Sequence, residues 1–143
     1  MAIEKNQIPI LEYDNSSKEV INPQHEDFKI VIPNKLVFSF CGENVKKFAL
    51  KNLFRCKKIA QFVTSSGNFP VYKLKIKNQE IGLCMAPTGA AGATQFLDWL
   101  IAYGAKEIVG VGSCGCLIED CEGDLFVPDR ALRDEGTSYH YLP

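Results

Sequence analysis

The chain has 143 residues, 16 lysines and arginines against 17 aspartates and glutamates, and a formal charge of −1. Apolar residues make up 46% and charged residues 23%, the balance of a single soluble globular domain. Near-zero charge argues against a broad nucleic-acid or anionic-membrane surface, and no apolar run approaches the ~20 residues of a membrane span.

The N-terminus carries early acids and no long apolar stretch, so it does not read as a signal peptide, and the expected location is cytoplasmic. Residues 1–34 read as an N-terminal arm. Asp14-Asn15-Ser16-Ser17 is a turn cluster, Pro23 and Pro33 interrupt any helix, and residues 8–11 are long enough only for an edge strand or a docking segment. The ordered domain is expected to span 35–143. Leu36 to Phe40 is β-prone and ends at Cys41-Gly42. From Glu43, the positions Val45, Phe48, Ala49, Asn52 and Leu53 follow a helical spacing.

Ile59, Phe62 and Val63 suggest a second strand, closed by a turn over 64–68. Val71 to Ile76 alternates apolar and basic residues, and Ile81 to Met85 returns after a turn at 77–80, forming a hairpin. A helix follows over 93–103, with Phe96, Leu97, Leu100 and Ile101 on one face and Gly104 as its terminator. Trp99 and Tyr103, at i, i+4, read as packing residues.

Glu107 to Val111 is a near-continuous apolar run, as in a strand buried inside a sheet. Gly123 to Pro128 suggests one more strand, followed by a polar loop over 130–139. This alternation predicts an α/β fold, a three-layer sandwich with a mixed central sheet. Tyr141-Leu142-Pro143 is an apolar run ending in proline, which ordinarily leads into another element, so the domain reads as incomplete.

The six cysteines, without a secretory signal, are expected to be reduced thiols. Cys114, Cys116 and Cys121 lack the paired C-x2-C spacing of zinc sites, so no metal is expected. In open α/β sheets ligands gather beyond the carboxyl ends of the strands. Three glycine-containing segments fall there: Gly42 onwards, Pro87–Gly92 and Gly112–Gly115, with Ser113 adding a hydroxyl. Pro87–Gly92 does not spell G-x-G-x-x-G. Gly110–Gly115 does, but no amphipathic helix follows it, so a dinucleotide site is disfavoured. Ser113 is one position out of register with a G-x-S-x-G nucleophile elbow.

Taken in order, Cys41-Gly42-Glu43, the hairpin, Thr88-Gly89 with its helix, Val109 to Gly115, Gly123 to Pro128 and Arg133 to Tyr141 form a recognisable series. Over about residues 25 to 143 the chain resembles the nucleoside phosphorylase superfamily, nearest its uridine phosphorylase-like branch. The resemblance implies a phosphorylase/hydrolase-like fold and glycosyltransferase chemistry: cleavage of the N-glycosidic bond of a nucleoside, with inorganic phosphate as co-substrate and no other cofactor.

By the same resemblance Gly42, Lys46 and Ser113 bind phosphate, and Thr88, Gly89 and His25 contact substrate. Lys46 stands where the family has an arginine, Gly110 stands where another is found, and a third, lent by a neighbouring subunit, falls near Gly67. Each charge-assisted bond lost weakens anion binding by roughly 1.5–3 kcal/mol, which makes hydrolysis by water, as in nucleosidases, a rival reading. The family's ribose and base contacts fall beyond Pro143, so catalytic residues are not assignable. The 143-residue chain is expected to turn over little, and a non-catalytic truncated remnant is a third reading. The implied partners are a nucleoside, phosphate and further copies of the chain, as dimers or hexamers, with no nucleic acid and no membrane.

Overall fold

A computed structural model describes residues 3–16, 21–24, 29–119 and 122–142. Among these residues five strands and two α-helices follow one another: β1 (Lys35–Ser39), α1 (Asn44–Lys51), β2 (Cys56–Thr64), β3 (Gly67–Ile76), β4 (Gln79–Met85), α2 (Ala90–Ala102) and β5 (Glu107–Val111). They build one mixed sheet in the order β2-β3-β4-β1-β5. β4, β1 and β5 are parallel, and β2, β3 and β4 form an antiparallel meander. The α/β fold expected from the alternation is therefore the fold observed.

The β3–β4 hairpin turns on Lys77 and Asn78 alone, with Ile76 opposite Gln79. Lys77 adopts φ 53°, the left-handed conformation that two-residue hairpins with primed turns require. The turn before it is shorter than expected. Gly67 and Asn68 already belong to β3, because β2 and β3 pair as far as Thr64 and Gly67.

The core lies between the sheet and α2. Phe96 and Leu100 are fully buried, and Phe96 stacks on Phe62 with ring centroids 4.8 Å apart. Phe38, Phe69, Val71 and Cys84 complete the sheet side. Trp99 and Tyr103 are buried too, with ring centroids 4.8 Å apart. The helix therefore turns Phe96, Trp99, Leu100 and Tyr103 inward, while Ile101 is exposed rather than on the core face.

Gly104 ends the helix in a left-handed conformation, φ 125°. Its amide donates to Ile101 O, and the Ile32 carbonyl lies 2.9 Å from where a Cβ would stand, so only glycine fits without displacement. Ile32 itself is buried and donates its amide to Tyr103 O, which ties the segment before β1 into the core.

Three local expectations are corrected. Residues 123–128 form no strand; Leu125 and Val127 stay exposed and the segment pairs with nothing in the sheet. β propensity without a partner ladder leaves backbone groups to water, and Pro128 adds no donor. Among the described residues β5 pairs only with β1, so its apolar run lies on an edge there and Val109 is 60% exposed. Of the two readings of residues 8–11, edge strand or docking segment, the strand is not formed: residues 9–11 make a 3-10 turn, consistent with proline's fixed φ at position 9. The polar loop near the C-terminus contains a second 3-10 turn, Ser138–His140, organised by Arg133, whose Nε donates to Ser138 Oγ at 2.7 Å and whose guanidinium lies over the Tyr139 ring.

Candidate functional site

The parallel strands end level with one another. Ser39 is opposite Met85 on one side and Val111 on the other. Ala86 N donates to Ser39 O at 2.8 Å, and Phe40 N donates to Val111 O at 2.7 Å, so the three exits from the sheet are bonded together. Ser39 is buried there, and its hydroxyl oxygen accepts from Cys41 N at 3.3 Å.

Beyond these ends lies a hollow of about 650 Å³. Gly42 and Glu43 line it from the start of α1, and Pro87, Thr88, Gly89 and Gly92 from the start of α2. Phe40, Phe69, Met85 and Ala86 form its apolar floor, and Ser66 reaches it from the β2–β3 turn. Both helices therefore begin at the hollow. Neither N-cap, Glu43 or Gly89, makes a side-chain capping bond; Asn44 N donates to Cys41 O at 3.4 Å, and the positive dipole ends of both helices face an anion that enters the hollow. Gly89 has φ 92° and open space where a Cβ would stand, so the turn needs glycine for its backbone and leaves the hollow clear.

Gly42, Thr88 and Gly89 are thus brought together. Ser113 is not beside them. It lines a second hollow of about 700 Å³ formed by residues 112–118 and 122–126. The two are neighbours: Phe40 lines the first, and its Cβ lies 3.3 Å from where a Gly112 Cβ would stand in the second. Lys46 is half-buried in the first turn of α1 and lines neither hollow. His25 lies outside the described residues.

Glu43 is the one charged side chain among the described residues lining the first hollow. The sequence reading names it in the Cys41-Gly42-Glu43 segment and at the start of a helix but assigns it no role at the site. Its place directly after Cys41-Gly42 at a strand exit is the signal that could have found it. Ser66 is less legible, because it enters through the antiparallel hairpin rather than through a strand exit.

Among the described residues no cysteine lines the first hollow, while Cys114 lines the second. Burial pushes Cys84 up to about 12, and it also raises Cys56. Cys41, Cys56, Cys84 and Cys114 are free, whereas Cys116 is disulfide-bonded, which departs from the reduced thiols expected from the sequence. No group of three metal-ligating side chains occurs among the described residues, and none of their helices is long and apolar enough to cross a membrane.

A family model described as the phosphorylase superfamily matches residues 35–143, the whole sheet with both helices. No curated protein and no solved structure shows significant similarity to the chain.

Proposed function

The chain belongs to the phosphorylase superfamily, and from that premise we propose that it acts on the N-glycosidic bond of a nucleoside with inorganic phosphate as acceptor, in the manner of the uridine phosphorylase-like branch. The observation that carries the proposal is the hollow at which both helices begin, with Gly42 and Gly89 at their thresholds. A phosphate seated there would meet amide N–H groups and two positive dipole ends. A sugar over the apolar floor of Phe40 and Met85 would present its anomeric carbon to that anion. The departing base leaves positive charge on the sugar, which a neighbouring anion stabilises. Thr88 contributes a hydroxyl to the lining, Ser113 stands at the adjoining hollow, and Lys46, in the first turn of α1, lies outside both.

The test is phosphate binding followed by base release. At phosphate tenfold above its Kd, linkage adds about 1.4 kcal/mol of stability, a shift of a few degrees in Tm. Gly89→Val, which fills the threshold, should abolish that shift. Phosphate that leaves Tm unchanged at every concentration contradicts the proposal.

A second reading, hydrolysis with water as acceptor, is favoured by one feature. Glu43 places a carboxylate in the hollow, and no lysine or arginine lines it among the described residues. A carboxylate there repels phosphate and can accept a proton from water. Base release that proceeds equally without phosphate and falls in Glu43→Gln supports this reading. Release that requires phosphate supports the first.

A further inference from the structure

The charge balance of −1 conceals a sharp separation. Residues 44–79 hold nine lysines and arginines and no aspartate or glutamate, leaving seven of the 16 cations against all 17 acids elsewhere, a balance of −10. That stretch is α1, β2 and β3. Strand register then concentrates the charge. Lys57 lies directly opposite Lys73, and Lys75 N donates to Arg55 O at 3.0 Å, so a second cation pair flanks the first. Like charges facing across a strand pair are destabilising. One acid answers them: Glu80 pairs with Lys73 at 2.9 Å.

These groups surround a hollow of about 490 Å³ lined by Arg55, Lys57, Lys58, Lys73 and Lys75, with Phe54 at its edge. Phe54 is 106% exposed, a bare aromatic ring beside a cationic trough. The trough lies at the far end of β4 from the hollow described above: Glu80 lines one and Met85 the other.

We propose that this trough binds single-stranded nucleic acid, its phosphodiesters held by Arg55, Lys57, Lys73 and Lys75 and one base stacked on Phe54. A chain polyanion fits better than a single anion, because five cations line the trough and four more, Lys46, Lys47, Lys51 and Lys77, belong to the same acid-free stretch. An exposed aromatic beside a cationic groove is the arrangement that takes unpaired bases. It does nothing for an acidic peptide. The acidic remainder of the molecule confines binding to this one edge, so net charge alone gives no hint of it.

Fluorescence anisotropy of a labelled oligothymidylate of about 12 nucleotides tests the proposal on the full chain. With four phosphate contacts, affinity should fall about 50-fold between roughly 50 and roughly 200 mM salt. Exchanging three cations, Lys57→Gln, Lys73→Gln and Lys75→Gln together, should weaken binding at least about 10-fold while the fold persists, because the exchange removes repulsion. Phe54→Ala should weaken oligonucleotide binding about 10-fold and leave inorganic tripolyphosphate binding unchanged. Absence of salt-dependent binding overturns the proposal, as does indifference to Phe54→Ala. So does a polyglutamate peptide that binds as tightly as the oligonucleotide, which would assign the trough to an acidic protein partner.

Discussion

Removing the Phe96 ring probes the docking of α2, on which the position of the α2 threshold depends. Phe96 is fully buried, and its ring faces four others: Phe62 at 4.8 Å, Phe38 at 5.8 Å, Phe69 at 5.9 Å and Trp99 at 6.1 Å between centroids. Phe96→Ala leaves a cavity that these rings, drawn from β1, β2, β3 and the helix itself, cannot all move to fill. Such truncations cost about 3–5 kcal/mol, against a total stability of about 5–15 kcal/mol for a domain. Tm should fall by about 10–15 °C. Urea unfolding followed by circular dichroism and by the emission of Trp99, the one tryptophan, measures it. Phe54→Ala is the matched control, since its exposed ring should change stability by no more than about 0.5 kcal/mol. Equal midpoints for the two variants would refute the packing of α2 described above.

Gly104→Ala should lose about 1–3 kcal/mol in the same unfolding assay, because φ 125° and the Ile32 carbonyl both exclude a side chain; a neutral result would mean the helix ends differently. Glu135 is held below the usual carboxylate range by the Ser138 hydroxyl first, with the Thr137 and Ser138 amides adding to it at 2.8 and 3.1 Å. A depressed folded value means the turn at 138–140 is fully supported above the ordinary glutamate pKa and loosens as pH falls through the folded one. Amide exchange at Ser138 should show that loss, and Glu135→Gln should remove its pH dependence. With a thiol reagent at about pH 8, Cys114 should react in the native chain, whereas Cys84, pushed up to about 12 by burial, should react only after unfolding. Prompt native labelling of Cys84 would contradict its burial.

The legible parts of the molecule are those whose information is local. The hairpin is written in the alternation of 71–76 and 81–85 around a polar turn, and α2 in its spacing and its glycine stop. The strand exits at Gly42 and Thr88-Gly89 follow from the order of elements, since parallel strands joined by helices must bring their carboxyl ends to one edge. The same reasoning set Ser113 at that edge, and it does lie there, yet on the far side of Phe40. No local pattern reports which side of a neighbouring ring a loop will take.

The residue pattern by itself determined the class of fold, the hairpin, the core face of the long helix save Ile101, and the glycines at the sheet's exits. Period and turn chemistry are properties of adjacent residues. Tertiary structure alone decided that β5 is an edge, that 123–128 pairs with nothing, that Glu43 faces the hollow, and that Lys57 meets Lys73. Each of these depends on which strand lies beside which and in what register. Those are long-range choices made by the burial of Phe96 and its neighbours, and an apolar or charged residue looks the same in sequence on either outcome.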